Sequence, residues 1–555
     1  MSSWFDAAAG LSVTATGPEH ETTRSELIAD RVPERLAAKD PTLWGPAAES
    51  EAKVRLGWVD TFKRSRQLLG RLRALADELA AEGVDHVVLA GMGGSSLAPE
   101  VITRTLGKPL TVLDTTDPGQ VARALADRLE RTVLVVSSKS GSTVETDSHR
   151  RAYAQAFAAA GIDPGSRLVV VTDPGSPLAE TAAEEGAREV FLADPDVGGR
   201  YSALTAFGLV PSALAGVDVA ELLDQAEELA RHAHADQHNP GFALGAVLGA
   251  AARDGHATLA VADDGSGITG LGDWIEQLVA ESTGKDGKGI LPVVLEHPDA
   301  PGAPAASDAP GAGSSTLLAT VGGARSTEQG ATRVVPGVAV NGPLGAQFLA
   351  WEQATAVASH VLGIDPFNQP NVTESKQNTN RLLAAGLPAS TLSFVAGPIE
   401  ARLGAGLSAG SLSETLAELL GAVEPAGYLA VMAYLDRFAD ADLAELRPLL
   451  AEALLAKGTP APVTYGWGPR FLHSTGQYHK GGPQTGVFLQ ITGAVEEDLA
   501  VPGKPYSFGQ LQAAQAAGDL QALAERDRPI VRLHLTDRKA GIAALLEAAR
   551  SLRSL

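Results

Sequence analysis

From about residue 84 the chain alternates between short, continuously apolar runs and longer stretches in which apolar residues recur at helical spacing. The runs at 86–90 (HVVLA), 110–114 (LTVLD), 132–137 (TVLVVS), 167–173 (RLVVVTD) and 189–193 (EVFLA) predict strands. Their apolar positions are consecutive rather than alternating, as in strands covered on both faces. Helical patterns at 121–130 and 146–160 separate them and are long enough for crossovers, so repeated βα units predict a parallel, doubly wound sheet. The segment 51–82 leading into them reads as helix.

A second α/β unit is predicted after His238-Asn239-Pro240, with helix 242–253, strand 257–262, helix 271–281 and strand 290–296. The stretch 298–315 (PDAPGAPAASDAPGAGSS) is dominated by Pro, Gly, Ala and Ser and predicts a mobile surface loop. Helices are expected at 345–362 and 372–385, and from about Gly427 a further α/β section has strands at 428–434, 486–492 and 529–535. No short internal repeat is visible. The expected class is α/β, with an N-terminal extension over 1–50, a first unit over 51–237, a second over 238–400 and a C-terminal α/β section over 401–555.

Composition narrows the chemistry. The 555 residues contain no cysteine, which removes a disulfide scaffold, a thiolate zinc site, an iron–sulfur cluster and a cysteine nucleophile. The net charge of −22 speaks against non-specific nucleic-acid binding and adhesion to anionic membranes, both of which need a basic face. One phosphate can still be held by a few local donors. The N-terminal segment lacks a basic n-region, and no run reaches the roughly 18 apolar residues of a membrane span, so a cytoplasmic address is expected.

Two loops carry candidate chemistry. Ser137-Ser138-Lys139-Ser140-Gly141-Ser142-Thr143 follows a predicted strand and opens a helix. Its hydroxyls and backbone N–H groups suit an anion at a helix N-terminus, although such residues also serve as simple caps. Gly91-Met92-Gly93-Gly94-Ser95-Ser96 fills another strand-to-helix turn. With Ser96 at the third glycine position and Asp114 ending the next strand, it keeps nucleotide binding open as a rival. A second donor-rich loop two strands later favours a small phosphorylated ligand spanning both turns.

Together GMGGSS and SSKSGSTVET resemble the sugar isomerase (SIS) fold family, which binds sugar phosphates through such a Ser/Thr loop. The segments Gly198-Gly199-Arg200-Tyr201-Ser202, Glu281-Ser282-Thr283-Gly284-Lys285 and Asp365-Pro366-Phe367-Asn368-Gln369-Pro370 running on to Lys376 are similar to those of phosphoglucose isomerases. The stretch from Phe471 to Pro483 resembles the isomerase part of bacterial transaldolase–phosphoglucose isomerase fusions. About 60 residues precede the region of likeness, too few for a transaldolase barrel, so only isomerase activity is implied. The likeness implies two SIS-type doubly wound domains plus the C-terminal section.

It also implies roles. Ser138, Lys139, Ser140 and Thr143 would hold phosphate, and Gly94 and Ser95 would lie near the sugar. Arg200 would sit over the reacting carbons, Glu281 would be the base, Lys376 would lie near the ring oxygen and His473 would open the ring. In the common form of the family the histidine segment precedes the lysine segment, whereas His473 follows Lys376 by 97 residues. The implied reaction is interconversion of glucose 6-phosphate and fructose 6-phosphate through a cis-enediol, with no cofactor and no metal. The implied assembly is a homodimer, with His473 in side-chain reach of a Glu281 in the same chain or its partner.

The residues also read without the family. Trp274, Leu278 and Glu281 share one helix face, so Glu281 ends an apolar stripe, where burial raises a carboxyl's pKa, while Glu276 should face water. A plain helix-terminal contact of Glu281 with Lys285 is the bland alternative. For Arg200 the alternative is an ion pair with Asp194 or Asp196, and for Lys376 a solvated surface position. His473 and His479 have poor zinc spacing, and His360 reads as structural. Rival functions are another SIS-fold isomerase acting on aminosugar or mannose 6-phosphates, and a non-catalytic sugar-phosphate sensor. Glu281, Arg200 and Lys376 together speak against the sensor.

Overall fold

The computed structural model describes residues 3–16, 20–304, 315–323, 337–387 and 391–552. The predicted loop at 298–315 lies mostly outside them, over 305–314. Three sheets organise the chain. The first has five parallel strands in the spatial order Thr111–Leu113, His86–Gly91, Thr132–Ser137, Leu168–Thr172 and Glu189–Leu192. In chain order this is 2-1-3-4-5, so the winding reverses between His86–Gly91 and Thr132–Ser137. Ligands of open α/β sheets bind outside the carboxyl ends at such a switch point. Gly91 pairs with Ser137, so the glycine turn and the Ser/Thr loop leave the sheet side by side.

The second sheet runs Ser3–Ala8, Leu11–Thr16, Gly337–Asn341, Thr316–Gly322, Thr258–Asp264 and Leu291–Val294. Its last four strands are parallel, and the first two form an antiparallel hairpin on its edge. The two-residue turn has positive φ at both Ala9 and Gly10, the backbone that matches strand twist in tight hairpins. Residues set apart above as an extension therefore pair with a strand more than 300 positions away. The alternating burial of Leu11, Val13 and Ala15 is the period-two signal of that strand, which the sequence reading passed over.

The third sheet repeats the second in plan. Tyr428–Tyr434, Val463–Trp467, Gly486–Gly493 and Ile530–Leu535 are parallel in the order 2-1-3-4, and the hairpin Phe394–Ala396/Ile399–Leu403 lies antiparallel against the last of them. One face packs its own core around Leu429, Val431, Leu489 and Val531. The other begins apolar, with Tyr428, Ala430, Met432 and Phe488 against Ala260, Leu291 and Val293 of the second sheet. The first two sheets share one continuous core.

The single helix expected over 51–82 is broken. Glu49–Ala52, a turn at Gly57–Asp60 and Thr61–Ser65 precede the regular helix Leu69–Ala81. The Gly57 N–H donates to Asp196 O at 2.9 Å and Leu56 bridges Val197, which pins the chain to the loop leading to Arg200. Among the described residues no helix is long and apolar enough to cross a membrane.

Candidate active site

The Ser/Thr loop opens the helix Val144–Ala159, and no side chain caps that helix. Thr143 Oγ1 instead meets Ser138 Oγ at 2.9 Å, and Ser140 Oγ meets Ser142 Oγ at 3.1 Å. Capping therefore does not explain these hydroxyls. They face one another, where an anion could take their hydrogen bonds. Lys139 is turned away, its ammonium on Asp173 and its second contact the Pro195 carbonyl at 3.3 Å.

The glycine turn is set by close approach. A Cβ on Gly94 would lie 1.9 Å from Gly199 O, so the loop bearing Arg200 rests directly on it. A Cβ on Gly93 would lie 2.6 Å from Gln277 Nε2 and 3.0 Å from His473 O. Ser95 is nearly buried beside them. Asp114, the acid a nucleotide site would use, is committed to Arg470 at 2.8 Å and Ser96 Oγ at 3.4 Å. That removes the ribose partner from the nucleotide reading.

Arg200 and Glu281 meet in a buried ion pair, Nε to Oε2 at 3.1 Å. The guanidinium also donates to the carbonyls of Glu281 (2.8 Å), Pro366 (3.1 Å) and Asn368 (3.3 Å), and to Gln369 Oε1. It is thus fixed by the segment 366–369. Asp194 pairs with Arg64 at 2.5 Å rather than with Arg200, and the Lys285 ammonium reaches Asp365 O while also interacting with the Glu281 charge. Burial, with Arg200 nearby, lowers the Lys285 pKa well below the usual lysine range.

His473 enters from the third unit, on the turn Arg470–His473 after strand Val463–Trp467. Its Nε2 lies 3.1 Å from Glu145 Oε1, and its carbonyl accepts from Gln277 Nε2 at 2.8 Å. The same Gln277 nitrogen lies 3.5 Å from Glu281 Oε2. A continuous chain of contacts thus runs from Arg200 through Glu281, Gln277 and His473 to Glu145, beside the Ser/Thr loop. Ser142, Thr143, Glu145, His473 and Gln515 border one cavity of about 70 Å³ there. The contacts of His473 with Glu145 and Gln277 lie within one chain.

Ion pairs hold the His473 turn. Arg470 is mostly buried and binds Glu100 at 2.6 Å, Asp114 at 2.8 Å and Asp273 at 3.3 Å. Those carboxylates raise its pKa further. Glu276, expected to face water, instead accepts from Ser474 Oγ at 2.9 Å, and burial pushes its pKa up to about 8. Gln477 donates to Gly284 O at 2.9 Å and Asn371 Oδ1 at 2.8 Å, joining the end of the Glu281 helix to the start of helix Pro370–Ala385. Lys376 lies on that helix, and its side chain falls outside the described residues.

His479 is excluded as a substitute for His473. It is buried among Tyr428, Phe471 and Phe488 with neither ring nitrogen hydrogen-bonded, and burial drives its pKa well down. His360 is structural, with Nδ1 2.7 Å from Leu43 O. Among the described residues no cluster of His, Asp or Glu could hold a metal ion.

The sequence reading left three residues of this site unassigned. Gln277 stands one turn before Glu281 and shares its face, a signal that was available. Glu145 lies inside the quoted loop motif. Gln515, which donates to Glu145 Oε1 at 2.6 Å, sits among alanines on a helix 370 positions away and carried no local signal.

The phosphoglucose isomerase family model matches residues 56–290. The glucose-6-phosphate isomerase of Rubrobacter xylanophilus is 31% identical over 379 residues, which cover 57% of this chain and 86% of that protein. A probable glucose-6-phosphate isomerase of Haloarcula marismortui is 35% identical over 213 residues, so there the chain spans about half the relative's length, 49%. The crystal structure of a glucose-6-phosphate isomerase from Chlamydia trachomatis has a TM-score of 0.54 at 18% identity, over 68% of this chain and 89% of that one, a likeness of fold. The matched region holds the Ser/Thr loop, the glycine turn, Arg200 and Glu281, and the chain belongs to the phosphoglucose isomerase family.

Proposed function

We propose that this chain interconverts glucose 6-phosphate and fructose 6-phosphate, with Glu281 as the proton-transferring base. The observation that carries this reading is the buried Glu281 carboxylate held on a fixed Arg200 guanidinium, one glutamine away from a histidine–carboxylate pair. Phosphate would occupy the loop Ser138–Thr143 and anchor the sugar, leaving its reacting carbons beside Glu281. His473, oriented by Glu145, would give a proton to the ring oxygen as the anomeric hydroxyl loses its own, which opens the ring. Glu281 would then take the proton from C2 of the aldose, and the electron pair would form the enediolate C1–C2 double bond. Arg200 would stabilise the oxygen charge; with the hydroxyl proton passed from O2 to O1, Glu281 would return its proton to C1 as the C2 carbonyl forms. Lys376 is proposed near the ring oxygen on the family likeness alone.

The direct test is a coupled assay of glucose 6-phosphate formation from fructose 6-phosphate, with and without chelator. Mannose and glucosamine 6-phosphates run in parallel decide between this reading and other sugar-phosphate isomerases. Turnover of either of those in preference to glucose 6-phosphate would overturn the substrate assignment.

Ser140→Ala with Thr143→Ala is expected to raise KM strongly and lower kcat little. Each hydrogen bond lost to a charged phosphate costs about 1.5–3 kcal/mol. Unphosphorylated glucose turned over as well as its 6-phosphate would remove the anchor role. His473→Ala should cost about 100-fold or more on the closed-ring sugar. It should spare proton exchange on an open-chain substrate, and equal losses on both would dismiss a ring-opening role.

A homodimer in the cytoplasm remains the proposed setting. Because His473 meets Glu145 and Gln277 within one chain, specific activity should not fall on dilution below the dimer's dissociation range. A proportional loss, followed by activity and light scattering together, would show that the partner completes the site.

A further inference from the structure

The polar side of the third sheet has no role in the site described above. Along Gly486–Gly493 and Ile530–Leu535 the inward positions change from Phe488 and Ile530 to Gln490, Thr492, Arg532 and His534 towards the carboxyl ends. Ile399–Leu403 continues the change with Arg402 and Glu400, directly opposite Arg532 and His534. Helix Phe508–Ala524 covers part of this polar floor, which stays partly open to water at Arg402 and Glu400. Between floor and roof is a cavity of about 720 Å³, in the size range of metabolite pockets, roughly 300–1,000 Å³.

The lining is one-sided in charge and incompletely satisfied. It brings Arg381, Arg402 and Arg532 against one carboxylate, Glu400, a local cationic surplus in a chain of net charge −22. Arg402 pairs with Glu400 at 2.9 Å. Arg532 donates Nε to the neutral Gln490 Oε1 at 2.6 Å, while its buried Nη2 has no hydrogen-bond partner. Gln512, on the roof helix and only 4% exposed, likewise has a buried Nε2 without a partner. Two arginines directly opposite on antiparallel strands repel each other, and a buried donor without an acceptor is costly. Burial and the neighbouring Arg402 bring the Arg532 pKa down to about 10, against the opposing pull of Tyr434 and Asp519. Ala513, Ala516 and Ala517 keep the roof thin, which leaves space for a small carbon body.

We propose that this cavity is a second anion site, separate from the active site, that binds a small phosphate ester with its phosphate on Arg532, Arg402 and Gln512. Donors arriving from two strands and a helix suit a tetrahedral head with three oxygens better than a planar carboxylate.

The test is equilibrium binding of inorganic phosphate to the full chain carrying Ser140→Ala and Thr143→Ala, which weakens the loop site. One phosphate per chain should still bind. Adding Arg532→Gln should weaken it about tenfold or more, while Arg532→Lys should retain most of the affinity. Ala517→Met, which fills the cavity without touching a charge, should abolish binding and leave isomerase activity on the unmodified loop unchanged. It keeps the test decisive if Arg532→Gln fails to fold. Glycerol 3-phosphate should bind more tightly than malate. No phosphate bound in the loop variant, indifference to both Arg532→Gln and Ala517→Met, or tighter malate would each overturn the proposal.

Discussion

Glu281→Gln is expected to abolish isomerisation while sugar-phosphate binding persists. The amide keeps the shape and can still accept from Arg200 Nε, which lies 3.1 Å from the carboxylate in the parent chain. It cannot take a proton from carbon. A positioned base contributes about 100- to 10,000-fold, and the upper end is expected because the neutral amide offers no basic atom in place of the carboxylate. The measurement is kcat by coupled assay beside Kd for fructose 6-phosphate by calorimetry. Turnover within tenfold of the parent would take Glu281 out of the mechanism, and loss of binding with turnover would make it structural.

Arg200→Lys should be nearly as damaging, and for a different reason. The guanidinium spans the Glu281 carboxylate, four backbone carbonyls and Gln369, a geometry that one ammonium cannot reproduce. With the charge kept but misplaced, kcat should fall about 100- to 1,000-fold, the scale of removing one preorganised donor. Arg200→Ala goes further, because it removes a buried charge partner of the Glu281 carboxylate and should destabilise the fold by about 3–5 kcal/mol. Thermal unfolding beside kcat separates the two effects. An Arg200→Lys enzyme within threefold of the parent would show that the fork geometry is not required.

Much of this was legible before folding. The three central strands of the first sheet are fully buried, so each needs a continuous apolar run, and the runs at 86–90, 132–137 and 167–173 locate them to within a residue or so. The Ser/Thr loop and glycine turn are contiguous because backbone donors must converge over a few residues. Glu281 and Arg200 came from short motifs, and the structure brings them into contact. Glu276 shows the limit. One helix face was taken as the wet side, but helix Leu271–Thr283 is packed between the first sheet's glycine turn and the third unit, so Glu276 is only partly exposed and meets Ser474.

By itself the sequence determined the βα alternation and the positions of the Ser/Thr loop, the glycine turn, Arg200 and Glu281, since each is encoded by neighbours along the chain. Only the tertiary structure decided that His473 reaches Glu145 within one chain, that Gln515 steadies that carboxylate, and that residues 3–16 finish a sheet begun at Thr258. Pairings between residues hundreds of positions apart leave no periodicity in the sequence. They arise when separate units bury their remaining apolar faces against one another and thereby bring polar groups into a common, water-poor space.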